Sequence, residues 1–399
     1  MHAPIDINQP LALLGGLTPK TFMREYWQRK PLLIRQAIPG FKPPVSVADL
    51  KRMSKQDEVE SRLVWKENAR WQLEKGPFSR LPKASEPDWT LLVQSVDQHV
   101  DAAAALTHQF RFVPDARMDD LMISIATDGG GVGPHYDSYD VFLLQGVGQR
   151  RWRIGAQQDQ ALIPGLPVRI LQNFQPEAEY VLEPGDMLYL PPQYAHDGIA
   201  VGDCMTLSIG FRTLTQQALA QGMLEAALDR MAASAGMQGG LYADPPLPMP
   251  RLDNVYYRDP GQPAVTTPAA LPDGMIKAAL QAVGKIRFDE KLAIRFLGCW
   301  LTEPNALAEF DSPEDAPDFT EAWPTSGSLR LDRRSRLLYR DKSFFINGET
   351  LQHAAHPLLY ALADQRTIAC ADYRRLPASL RDLLTAWVED GWLHYDDAQ

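Results

Sequence analysis

Pro134-His135-Tyr136-Asp137 decides how this chain is read, because a distant histidine, His196, completes it. Side chains at i and i+2 of a strand leave the same face. If His135 and Asp137 sit on a strand or just enter one, both point into one cavity and Tyr136 points away. A histidine from a second strand then supplies the third ligand of a two-histidine, one-carboxylate face. That face suits Fe(II) and leaves coordination positions open for a co-substrate and dioxygen. Upstream, Asp128-Gly129-Gly130-Gly131-Val132-Gly133 lets the backbone turn tightly beside a bound ion. Downstream, the segment from Glu183-Pro184-Gly185-Asp186 through Met187-Leu188-Tyr189-Leu190-Pro191-Pro192 to His196 reads as a turn, a short apolar strand, a proline-marked bend and the ligand. A lone His-x-Asp is a common surface pair. The flanking segments make it a predicted metal site.

Together with Phe142-Leu143-Leu144-Gln145 and Arg150-Arg151-Trp152-Arg153-Ile154, these motifs span most of residues 120–212. They resemble the JmjC-type cupin oxygenases, most closely the ribosomal oxygenase branch. The resemblance implies a double-stranded β-helix barrel with Fe(II) on His135, Asp137 and His196, and 2-oxoglutarate and O2 as co-substrates. Bacterial members, which the chain resembles over nearly its whole length, hydroxylate an arginine of large-subunit ribosomal protein L-sixteen, so that protein is the implied substrate.

Strand parity assigns further roles. In residues 150–154 the apolar Trp152 and Ile154 mark the buried face, and of the three arginines only Arg150 shares it. A guanidinium on an apolar wall needs an anion, and its planar fork suits a carboxylate. The distal carboxylate of 2-oxoglutarate is one partner; an internal Asp or Glu is the other. Arg151 and Arg153 are expected to be solvated. Along Asp120-Leu121-Met122-Ile123-Ser124-Ile125, the apolar Leu121, Ile123 and Ile125 share one face and Asp120, Met122 and Ser124 the other. Tyr139 continues the parity of His135 and Asp137. A ring and a thioether flanking a carboxylate would form a slot for an arginine side chain, its methylenes between Tyr139 and Met122 and its head at Asp120. Alternatively, Asp120 caps a turn with Asp119 and Met122 is ordinary core. Ser124 and, on the strand Met205–Ile209, Ser208 are expected to line the co-substrate.

Composition narrows the class. At 399 residues and 45% hydrophobic content, the chain can fill two or three domains. Its three cysteines, Cys204, Cys299 and Cys370, lie far apart with no C-x-x-C spacing, which indicates neither disulfides nor a zinc ribbon. The apolar run Leu11–Leu17 is too short to span a bilayer and has no basic lead, so a cytoplasmic protein without a membrane anchor is expected. A formal net charge of -10 opposes phosphate binding and suits a basic protein partner.

The fold class expected is α+β. Residues 1–212 form the cupin domain with its lead-in, in which Phe22 to Lys30 reads as a helix ending at Pro31 before a first strand. Residues 213–288 carry an Ala-, Leu- and Met-rich helix from Gln216 to Ala235 and a proline-rich arm from Tyr242 to Pro272. That helix could pack on its own barrel; the resemblance makes it part of a homodimerisation module. Residues 289–399 suggest a winged-helix-like domain with a hairpin at Asn347-Gly348. The Arg330–Arg340 cluster is interrupted by apolar residues and preceded by Asp311, Glu314, Asp315 and Asp318. It reads as a solvated strand face or salt bridges rather than as a nucleic-acid surface. Two rival functions remain: a 2-oxoglutarate oxygenase acting on His, Asn or methyl-Lys, and a non-catalytic ribosome- or nucleic-acid-binding cupin.

Overall fold

The alternation in residues 120–125 and 205–209 becomes the wall of a barrel. The computed structural model describes residues 5–68, 70–314, 317–373 and 375–397, so Asp315 lies outside the described residues. The chain divides into two compact units, one of residues up to 213 with 306–309, the other of 214–305 and 310 onward.

The first unit holds helices α1 (Pro19–Glu25), α2 (Val47–Met53) and α3 (Asp101–Thr107) beside nine strands. These are β1 (Leu32–Ile34), β2 (Ser61–Glu67), β3 (Arg70–Lys75), β4 (Trp89–Val93), β5 (Met118–Ala126), β6 (Asp140–Gly155), β7 (Ala178–Leu182), β8 (Met187–Leu190) and β9 (Ala195–Phe211). The sheet runs β1-β8-β6-β9-β5-β4-β2-β3, with β7 also on β6. Register slips near Gln145, Val147 and Gln149 interrupt the long β6–β9 ladder. Below the slips β6 pairs with β8, and above them with β7. One bent ribbon thus serves both layers and makes the double-stranded β-helix. Its outward residues, Leu121, Ile123, Phe142, Leu207, Ile209 and Phe211, pack with Phe22 and Phe110 from the lead-in. Its inward residues, Val141, Leu143, Trp152, Ile154, Leu182 and Leu188, form a second cluster.

Helix α1 stops six residues short of the expected Pro31. Gln28 takes a left-handed φ of 56°, and its N–H donates to the Tyr189 hydroxyl at 2.8 Å. A tertiary anchor, not the proline, ends the helix.

The second unit carries α4 (Gln216–Ser234), α5 (Asp273–Val283), α6 (Glu290–Thr302), α7 (Pro357–Gln365) and α8 (Ala378–Glu389). Two three-stranded sheets join them. One contains β10 (Ser328–Leu331), the other β11 (Leu337–Arg340), β12 (Ser343–Ile346) and β13 (Glu349–Thr350); β14 (Thr367–Ala369) and β15 (Leu393–Asp396) flank β10. The β12–β13 turn has Asn347 and Gly348 at φ 48° and 90°, the left-handed pair that a tight hairpin demands. Residues 214–305 and 310 onward lie within this one unit. Phe296 of α6 presses so closely on α4 that a Cβ at Gly222 would lie 2.1 Å from its ring, and Ala226, Leu292, Phe296 and Phe345 share one core. The arginine cluster is engaged within the unit: Arg330 with Asp396 at 3.4 Å, Arg334 with Asp311 at 3.2 Å and Arg340 with Glu290 at 3.9 Å.

Candidate metal and co-substrate site

His135 and His196 meet as a single antiparallel bridge, His135 N–H donating to the His196 carbonyl at 2.9 Å and His196 N–H returning at 2.7 Å. His135 therefore sits just ahead of β6 rather than on it. The preceding glycine run explains the approach. Gly133 has φ +79°, and a Cβ there would lie 2.8 Å from Ile170 and 3.0 Å from Trp71. The Gly133 carbonyl accepts from His135 Nδ1 at 2.8 Å, and the Tyr194 carbonyl from His196 Nδ1 at 2.9 Å. A carbonyl can only accept, so both Nδ1 atoms carry the proton and both Nε2 lone pairs are free to ligate. The Asp137 carbonyl accepts Gln193 N–H at 2.6 Å, which ties the carboxylate segment to the loop leading into His196. The rings stand 4.2 Å apart, and His196 Nε2 lies 3.6 Å from Asp137 Oδ2. One ligand atom from each of His135, Asp137 and His196 falls within 4.8 Å of the others. Burial, with His135 adding, pushes His196 down to about 4, so it is neutral at pH 7, the form that binds a metal. The donor set fits a divalent transition ion.

Arg150 lies on the inner wall, 5% exposed, with Nε and Nη2 buried and without a hydrogen-bond partner among the described residues. Among the described residues no carboxylate stands within ion-pairing distance of it, so the internal-partner reading finds no candidate. Leu143, Ser208 and Met122 are cross-strand neighbours on this face, and so are Gln145, Thr206 and Ser124. Ser124 and Ser208 are both buried there, Ser124 donating to the Thr206 carbonyl at 3.5 Å.

Arg153 departs from expectation. Still partly exposed, it pairs with the buried Asp197, next to His196, and lies over the Phe174 ring. Parity put it outside, correctly; it could not reveal that a buried carboxylate there needs a cation. Arg151 is only half-exposed, with its Nε buried.

Between Met118 and Leu121 the β5–β9 register slips, so Asp119 and Asp120 together oppose Gly210, a bulge that re-aims both side chains. Asp120 Oδ2 accepts from Ser95 N at 2.9 Å and Ser95 Oγ at 3.4 Å. Burial, then Asp97 and Asp119, push its carboxyl up to about 7. Desolvation, then Asp137 and Asp120, raise the Tyr139 hydroxyl, whose ring is 36% exposed. Met122 is half-buried opposite Ser208. Sequence reading missed the support behind β6: Asp140, fully buried, accepts from the Tyr189 hydroxyl at 2.6 Å and Gln28 Nε2 at 2.9 Å. Its only sequence signal was an acid beginning an apolar strand.

Comparison with known proteins agrees with this geometry. Residues 105–219 match the JmjC domain family and residues 285–394 the ROXA-like winged helix family. The ribosomal protein uL16 3-hydroxylase of Escherichia coli is 31% identical, over 94% of this chain and 97% of the relative. A probable ribosomal oxygenase of Haemophilus influenzae is 29% identical over 94% and 96%. The X-ray structure of E. coli YcfD superposes with a TM-score of 0.80 at 30% identity, covering 95% of this chain and 98% of that one. The same ribosomal oxygenase in complex with cobalt and 2-oxoglutarate gives 0.76 at 29% identity, with the same coverage.

Proposed function

The chain belongs to the JmjC-domain ribosomal oxygenases, and we propose that it hydroxylates an arginine side chain of large-subunit ribosomal protein uL16 (L-sixteen), with Fe(II), 2-oxoglutarate and dioxygen. The observation that carries this reading is the convergence of His135, Asp137 and His196 on a wall that also holds Arg150 with two orphaned donor atoms. When bound, iron and 2-oxoglutarate supply oxidative decarboxylation to succinate and an oxidant able to attack an unactivated C–H bond. The polypeptide does the rest by position. His135, Asp137 and His196 hold the metal, and Arg150 takes the far carboxylate of the co-substrate beside Ser124 and Ser208. Asp120 receives the guanidinium of the substrate, whose methylenes run between Met122 and Tyr139. The acidic group Asp97, Asp119 and Asp120 and a net charge of -10 favour a basic partner.

In this reading residues 1–212 are catalytic, 213–288 form a homodimer interface and 289–399 are the winged helix. The interface rests on apolar faces left uncovered. Helix α5 has no buried residue, yet it presents Met275, Ile276, Leu280 and Val283, and α4 exposes Leu224 and Leu228 one turn apart. A second copy covers them. The protein acts in the cytoplasm, where its ribosomal substrate is; no helix among the described residues is long and apolar enough to cross a membrane. Direct nucleic-acid binding is not part of the reading.

Purified protein incubated with uL16, Fe(II) and 2-oxoglutarate is expected to add one oxygen mass to a single arginine. The His135→Ala variant should add none, and an Arg-to-Lys substrate should react poorly, because a point charge cannot reproduce the planar fork. Turnover of 2-oxoglutarate with uL16 left unmodified would move the substrate assignment to another side chain.

A further inference from the structure

Trp152 is 5% exposed, and its indole N–H is buried with no hydrogen-bond partner among the described residues. Buried indole donors are normally satisfied, so an acceptor from outside the polypeptide is called for. Its position says which one. Along β6 the inward residues Ile154, Trp152 and Arg150 face His196, Gly198 and Ala200 of β9. At about 3.3 Å per residue, the His196 and Arg150 rows lie on the order of 13 Å apart, with Trp152 midway. The ring stands 5.8 Å from the His196 imidazole, and the Arg150 guanidinium carbon lies over it at 5.7 Å. Gly198 makes room for it, since a Cβ there would lie 2.6 Å from the indole.

Three donor atoms on one wall, Arg150 Nε and Nη2 and Trp152 Nε1, are therefore buried and unmatched. We propose that the Trp152 indole N–H donates a hydrogen bond to the distal carboxylate of the bound 2-oxo dicarboxylate, alongside Arg150. This rests on the oxygenase reading and adds a second determinant to it. A carboxylate offers about four lone-pair sites, of which a guanidinium fork fills two. In a dry pocket the remainder need donors, and an indole can only donate. Because the carboxylate it recognises survives in succinate, Trp152 holds co-substrate and product alike.

The test uses full-length protein loaded with Zn(II), titrated calorimetrically with 2-oxoglutarate, with succinate and with 2-oxovalerate, which keeps the 2-oxo acid but ends in a methyl group. In Trp152→Phe, affinity for 2-oxoglutarate and succinate should fall roughly tenfold or more, as expected for a hydrogen bond to a charged acceptor. Affinity for 2-oxovalerate should stay within about twofold of the parent, since loss of one hydrogen bond cannot affect a ligand that never made it. Equal losses for all three ligands, or no loss for any, overturn the proposal. A second readout needs no variant: among the nine tryptophans, one indole N–H resonance of the Zn(II) protein should move downfield with 2-oxoglutarate and succinate but not with 2-oxovalerate. The absence of such a resonance also overturns it. Failure of the unmodified Zn(II) protein to bind 2-oxoglutarate at all would instead sink the oxygenase reading.

Discussion

Asp120 carries two opposed demands. Burial, then Asp97 and Asp119, lift its carboxyl from 3.8 to about 7, so the folded chain holds that proton more tightly than the unfolded one. Stability from this group is full below about pH 4, declines as pH rises, and is lost above about 7. Asp120→Asn keeps the shape and an acceptor for Ser95. It should match the parent at pH 4 and exceed it at pH 8 by about 1 kcal/mol, allowing for solvent screening, as measured by denaturant unfolding. Guanidinium binding requires the opposite state. Affinity of the parent for an arginine peptide should fall as pH drops below 7 and level off above it, whereas the Asn variant should bind weakly at every pH. A parent profile flat from pH 6 to 8 would remove Asp120 as the receptor.

At the scale of elements, β6 is held at its first residue. Asp140 gathers the Tyr189 hydroxyl of β8, the Gln28 amide from the chain leaving α1, and Arg117 at 3.5 Å. Tyr189→Phe takes one donor from a fully buried carboxylate and the acceptor from Gln28 N–H. It should cost about 1–3 kcal/mol of unfolding free energy, measured by urea titration. The inner wall is untouched by this change, so 2-oxoglutarate affinity of the folded protein should hold within about threefold. A loss of affinity without a loss of stability would mean that the network positions the site rather than the strand.

At the scale of the whole molecule, the second unit leaves α5 with Ile276 49% and Leu280 70% exposed. Replacing both with Asp costs a single copy little, because neither is buried, but places two charges in any interface they form. The double variant should sediment as a monomer where the parent sediments as a dimer, with 2-oxoglutarate affinity unchanged. A parent that is monomeric at micromolar concentration would leave these helices to another partner.

Local periodicity and turn chemistry are the features that the sequence determined by itself. Period-two alternation placed Arg150 and Trp152 on one face of β6 and Leu121, Ile123 and Ile125 on one face of β5. The i, i+2 spacing brought His135 and Asp137 together, and Asn347-Gly348 marked a hairpin. Helix α4 began at Gln216, where the Ala-, Leu- and Met-rich stretch begins. Only the tertiary structure decided what lies opposite. It ended α1 at Glu25, ahead of the Gln28 anchor, turned Asp119 and Asp120 at a bulge, matched Arg153 with Asp197, packed Phe296 of α6 against α4, and left the Trp152 N–H without an acceptor among the described residues. Parity states which way a side chain points but not what meets it there, because the meeting partner comes from a strand or loop tens of residues away. Its register is set by the packing of the assembled core.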